Sequence, residues 1–358
     1  FTSAGDYNSL KFSKIEKINK GNVNNLELAW TYKNGFVPDK NSTFRNNNQA
    51  TPIFTGKKLI SSSMDGFVIA MNPQNGKEIW RTKIEYPSAR RGFTYFEGNI
   101  FIPSGKGIYV LNEKDGTLNK NFGLDGLITN NKNLSSLSLV PPMVFEDKII
   151  VAYINSVVSH SIPSGKINWK VNLNKSRVWS GISYDKKNEK LVFVTSNLVN
   201  LLGNTNIKDD YSNSIVVVDG QTGRTDCKFK DTIHDHWDYD MVGNPIIINS
   251  KNFNLAYGFS KTGNIFVVNI PDCKLVNADH IQKIKTDSLS PIENQTYSDY
   301  QIRINNPENL MDLEYELSSY LDYISKDNEN LDYVKHRTRN SKFGKSFIPL
   351  SLDYDPIV

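Results

Sequence analysis

The run IHDHWDYD, from Ile233 to Asp240, sets two histidines, three aspartates, a tryptophan and a tyrosine in succession. Carboxylates at this density can act as general bases or as ligands of a hard cation. His234 and His236 stand two residues apart and could ligate a transition metal. Such a pair more often hydrogen-bonds a tight loop and holds it rigid. The polar groups alone do not choose between a metal site, a catalytic centre and a surface loop. That choice depends on the elements that place them.

Those elements come as a repeat. GFVIAMNPQNGKEIW (Gly66–Trp80) runs from an apolar, β-rich stretch through a polar turn at Gly76 to a tryptophan four residues on. VVSHSIPSGKINW (Val157–Trp169) repeats it with Gly165 and Trp169. SIVVVDGQTGRTDC repeats it with Gly223, and Cys227 stands in the tryptophan position. A weaker copy surrounds Gly116, and GNIFVVNIPDCKLV carries Cys273 in the glycine position. NNLELAW, ending at Trp30, reads as the tail of one further unit. KKLISSS, NIFIPS, KIIVAYI, KLVFVTS and NLAYGFS supply more strands. A strand-rich unit of roughly 40–50 residues with a glycine turn and an aromatic predicts β-propeller blades. A β-sandwich would show no repeated glycine–tryptophan pair.

From residue 279 to 339 the chain turns polar and charged, a segment expected to be an insertion laid against the propeller. Within it, Asn306 suits a helix cap, Pro307 the first helical position, and Leu310, Leu313, Leu317, Leu321 and Ile324 one apolar face. The two cysteines, Cys227 and Cys273, fit no zinc spacing; they either pair in an oxidising compartment or are both buried and free. The net charge of +4 is small and scattered, which argues against a nucleic-acid surface. No apolar run approaches the ~20 residues of a membrane span. The chain opens at Phe1 without an initiator methionine and stops at Val358. The expectation is one propeller domain over 1–358, cut at both ends.

With FRNNNQATPIF, RRGFTYFEGNIFIP, WSGISYD, IHDHWDYD and FSKTGNIFVVN in order, these repeats resemble the pyrroloquinoline quinone (PQQ) dependent dehydrogenases, nearest the membrane glucose dehydrogenase branch. The resemblance implies an eight-bladed quinoprotein propeller with the cofactor lying on its axis. Fewer than eight turns can be counted here, which implies a fragment or a ring closed by a partner. Trp179 falls where the family stacks an indole under the quinone. Asn197 falls where an amide oxygen binds calcium. Asp238 matches the general base that takes the substrate hydroxyl proton, with a second role on the metal. Lys261 falls where a cation contacts the quinone oxygens. His234, Asp235 and Asp240 are then supporting residues, and Trp237 packs in the core.

Three departures qualify the likeness. The loop between KIIVAYI and SHSIPSGKINW, which carries a further calcium ligand in the family, is short here, with Asn155 and Ser156 the nearest polar residues and Val158 where arginine is common. Phe96 stands where some sugar-oxidising members have histidine, so sugar specificity does not carry over. No vicinal cysteine pair exists. The expected partners are a sugar or alcohol and a quinone or cytochrome acceptor. The expected location is the periplasm, with any membrane anchor outside this chain. A protein-binding scaffold and a decayed enzyme are the competing expectations.

Overall fold

The computed structural model describes residues 4–280 apart from 14, 39, 41–47, 86–89, 130–133, 135, 139, 197–210, 232–239 and 262. The expected insertion and its helix therefore lie almost wholly outside the described residues. The described residues form five four-stranded antiparallel sheets, each a simple meander. The first contains β1 (Ile53–Phe54), β2 (Leu59–Ser62), β3 (Phe67–Met71) and β4 (Glu78–Lys83). The second contains β5 (Thr94–Phe96), β6 (Asn99–Ser104), β7 (Gly107–Asn112) and β8 (Leu127–Thr129). The third holds β9 (Met143–Phe145), β10 (Lys148–Tyr153), β11 (Ser156–Ser161) and β12 (Ile167–Asn172). The fourth holds β13 (Ile182–Asp185), β14 (Lys190–Val194), β15 (Ser214–Asp219) and β16 (Thr225–Lys230). The fifth holds β17 (Met241–Asn249), β18 (Asn254–Ser260), β19 (Asn264–Asn269) and β20 (Lys274–His280), so β20 takes in the first two residues of the polar segment.

Both faces of the middle strands are buried, which explains their continuous apolar runs. In β14, Leu191 and Phe193 pack toward the third sheet while Val192 and Val194 pack toward the fifth. In β6, Ile100 and Ile102 join the first sheet while Phe101 joins the third. Four apolar clusters thus sit one in each seam between consecutive sheets. The first strands touch in order, β5 on β9, β9 on β13 and β13 on β17. The sheets are blades of a propeller, with these strands innermost, as the repeat predicted.

The repeated glycine and tryptophan turn out to belong to different joints. Trp80 closes on the turn of Gly116, Trp169 on that of Gly223, and Trp30 on that of Gly76. Each indole N–H donates to the carbonyl three residues before the glycine, at 3.0 Å to Pro73, 3.1 Å to Glu113 and 3.2 Å to Gly220. The glycines have φ of +68°, +73° and +73° at positions 76, 116 and 223. A Cβ there would lie 2.5–2.6 Å from the indole. Both the backbone and the contact therefore demand glycine. In four of the five sheets a β-bulge interrupts the pairing of the third and fourth strands just before this turn. At the remaining pair of cysteines the open question is resolved: Cys227 and Cys273 form a disulfide.

The third blade carries a buried pair that makes stability depend on pH. His160 is 1% exposed. Its Nδ1–H donates to the Gly165 carbonyl at 2.9 Å, which leaves Nε2 to accept from the Tyr153 hydroxyl at 3.1 Å. Burial holds the His160 imidazole below its ordinary value and pushes the Tyr153 phenol up. The unfolded chain therefore binds more protons at this residue than the fold does. Its stability is full above about pH 6.5 and is lost as pH falls from there through the depressed folded pKa. The thermal midpoint of His160→Gln should fall less between pH 7 and pH 5 than that of the wild type. Equal acid slopes in a calorimetric scan would refute the assignment.

Candidate active site

One rim of the propeller, where the first strands begin and the second strands end, gathers the described residues that could do chemistry. Trp179 enters β13. Its indole N–H donates to the Met241 carbonyl at 3.2 Å, across the seam to the first residue of β17. This bond fixes the plane of the ring. Lys261 follows the end of β18. Its Nζ donates to Asp240 Oδ2 at 2.9 Å, and its backbone N–H donates to the Asp240 carbonyl at 3.0 Å. The same ammonium lies 5.5 Å from the centre of the Trp179 ring. Of the four residues named from the sequence, Trp179 and Lys261 are thus brought together. Asn197 and Asp238 lie outside the described residues, as do His234, Asp235, His236 and Trp237.

The chain on either side of those two positions is well held. Asp240 is 7% exposed and Asp231 is 2% exposed. Asp231 accepts from Asn264 Nδ2 at 2.7 Å, so the segment bearing Asp238 starts and ends on buried, bonded residues. Ser196, immediately before Asn197, donates its backbone N–H to the Arg177 carbonyl at 2.9 Å and accepts from the Arg177 N–H at 3.2 Å. Ser196 is thereby tied to the segment between β12 and β13 that leads into Trp179. Asp240 is more than a loop support: it is the carboxylate that aims Lys261 at the rim.

Arg91 was not singled out from the sequence. It precedes β5, in the second blade, yet its guanidinium lies 4.8 Å over the Trp179 ring. Burial, followed by the neighbouring Arg90, lowers its affinity for the proton, and Asp240 opposes both. The signal was the RRG pair ahead of a strand, but nothing local says that an arginine of one blade reaches a tryptophan two blades away.

The shortened third-blade loop is a two-residue hairpin, since Tyr153 pairs directly with Ser156. The Ser156 hydroxyl is buried without a hydrogen-bond partner, and so is that of Ser180, next to Trp179. Among the described residues no group of three His, Cys, Asp or Glu side chains could hold a metal ion.

The arrangement suits a flat, electron-poor, anionic aromatic. An indole offers the stacking face, and two cations stand over it where negative charge would be neutralised. The family described as PQQ: Glucose/ethanol/alcohol dehydrogenase, beta-propeller domain, matches residues 2–169 and 160–277. Quinoprotein glucose dehydrogenase A of Acinetobacter calcoaceticus is 24% identical over 336 residues, covering 72% of this chain and 41% of the relative. Quinoprotein glucose dehydrogenase of Escherichia coli is 23% identical, covering 74% and 42% respectively. The chain spans about two fifths of the length of these curated relatives. The solved quinohemoprotein alcohol dehydrogenase ADHIIG of Pseudomonas putida superposes with a TM-score of 0.65 at 18% identity, over 79% of this chain and 48% of its own. A propeller repeat, an indole under two cations, and a family match over most of the sequence lead to one conclusion: the chain belongs to the PQQ-dependent glucose/ethanol/alcohol dehydrogenase β-propeller family.

Proposed function

We propose that the protein oxidises a hydroxyl of an alcohol or sugar with PQQ bound on the rim between Trp179, Arg91 and Lys261. The observation that carries this is the pair of cations, at 4.8 and 5.5 Å, over one indole. Bound PQQ supplies the two-electron acceptor of the reaction. Trp179 is its floor, held flat by the bond to Met241. Arg91, half-buried over the same ring, would meet a carboxylate of the cofactor. Lys261, aimed by Asp240, would hold oxygens of the cofactor, and its fixed positive charge would favour negative charge there. Asp238 would take the proton of the substrate hydroxyl, and the hydride of the carbon bearing that hydroxyl would be accepted by bound PQQ. The amide oxygen of Asn197 and the Asp238 carboxylate are the proposed ligands of a calcium ion, whose hard charge suits oxygen donors. A scaffold that only binds proteins gives the two cations no role.

Phe96 stands where some sugar-oxidising members carry histidine, so sugar specificity is not carried over and the substrate class stays an alcohol or sugar hydroxyl. A quinone or cytochrome is the proposed final electron acceptor. The Cys227–Cys273 bond supports an oxidising location, the periplasm in a bacterium. No helix among the described residues is long and apolar enough to cross a membrane.

The test is a dye-linked assay of the full-length protein loaded with PQQ and calcium, run over primary alcohols, polyols and aldoses. Turnover of one hydroxyl class that vanishes without PQQ is the expected result. A loaded, folded protein that reduces dye with none of them refutes the catalytic reading.

A further inference from the structure

Two of the described joints lack the tryptophan–glycine contact: Gly165 of the third blade meets Ile128, and the joint of the fourth and fifth blades departs in a more regular way. Where the first, second and fourth blades receive a tryptophan, the indole closes on the turn glycine, as described for Trp30, Trp80 and Trp169. At the joint of the fourth and fifth blades the same two repeat positions hold Cys227 and Cys273. Cys227 stands four residues after Gly223, as Trp80 stands after Gly76 and Trp169 after Gly165. Cys273 occupies the turn-glycine position and keeps its left-handed backbone, with φ of +54° against +68° to +75° for the turn glycines. The two Cα atoms are 5.8 Å apart and the sulfurs are bonded. The partners of the Trp–Gly contact have thus been exchanged together, and the backbone that presents them has not changed.

We propose that the Cys227–Cys273 disulfide is a covalent replacement for the tryptophan–glycine lock, so that this blade joint is completed by oxidation rather than by packing. A disulfide cross-links positions 46 residues apart and restricts the unfolded chain, whereas an indole stabilises by buried area in the fold. Both hold the outer end of a seam whose inner end carries Trp179, Met241 and Lys261. The chemistry is thiol–disulfide exchange. The two thiols give up two protons and two electrons to a disulfide-bearing oxidant, which leaves as a dithiol, and a reducing dithiol reverses the step. In the reduced chain the joint has neither bond nor indole. Two thiols cover a small part of the area that a tryptophan would. The fifth blade then relies on its apolar seam alone. This inference concerns the joint and does not rest on PQQ binding.

The experiment uses the full-length protein without cofactor. Thiol titration should find neither Cys227 nor Cys273 reactive in the denatured, unreduced chain and both reactive after dithiothreitol. Reduction should lower the thermal midpoint by about 5–10 °C, the shift expected for loss of one disulfide in a domain of this size. Cys227→Ser with Cys273→Ser should show the same lower midpoint and no further response to reductant. Cys227→Trp with Cys273→Gly should recover at least half of the loss and be indifferent to reductant. Free thiols in the unreduced chain, or a midpoint unmoved by dithiothreitol, would overturn the proposal. So would a folded Trp/Gly protein no more stable than the Ser/Ser one. If the Trp/Gly protein does not accumulate, reduction of the wild type decides.

Discussion

Asp238→Asn should lower turnover of the PQQ-loaded protein by about 10²–10⁴-fold, the usual contribution of a positioned general base. The amide matches the carboxylate in size, so packing changes little, but it cannot take a proton from a hydroxyl. The segment that carries Asp238 is anchored at Asp231 and Asp240, each buried and bonded to blade five. The exchange is near-isosteric and should therefore leave the thermal midpoint within about 1–2 °C. Steady-state rates and a melting curve on the same preparation separate the two effects. Turnover within a few-fold of wild type would remove Asp238 from the mechanism, and a collapsed midpoint would make it structural.

Trp179→Ala should weaken PQQ binding by roughly 30–100-fold. A buried aromatic surface and its stacking together contribute about 2–3 kcal/mol, and each 1.4 kcal/mol is tenfold in affinity. The indole is held by its N–H bond to Met241, so Trp179→Phe should recover part of the loss while lacking that orientation. Arg91 and Lys261 remain in the alanine variant, so residual binding should become more sensitive to salt, because charge attraction is then the larger share. Equal affinity in wild type and Trp179→Ala would show that the cofactor does not stack there.

The blades were legible because each carries its own local signals. A buried middle strand reads as a continuous apolar run, as in SIVVVD, and the turn needs a residue with positive φ, as at Gly76 and Gly223. The repeat also revealed that Cys227 and Cys273 had taken the tryptophan and glycine positions. It did not reveal that the two positions face each other across a joint, because Trp80 meets Gly116 and not its own Gly76. That pairing follows from how one blade stacks on the next, which periodicity along a chain does not encode. Arg91 escaped notice for the same reason: its meeting with Trp179 joins the second blade to the fourth. Asp240 and Lys261 lay within quoted motifs, yet only their geometry makes Asp240 the residue that aims the ammonium. Asn197 and Asp238 lie outside the described residues, so their roles stand on the family resemblance, and the helical pattern from Asn306 onward, also outside them, stands on its periodicity alone.

A fluorescence titration of the full-length, oxidised protein with PQQ, with and without calcium, puts the cofactor reading at greatest risk. Saturable one-to-one quenching of tryptophan emission, tighter with calcium, is the expected result. Unchanged emission from a chain shown by its melting curve to be folded would contradict it.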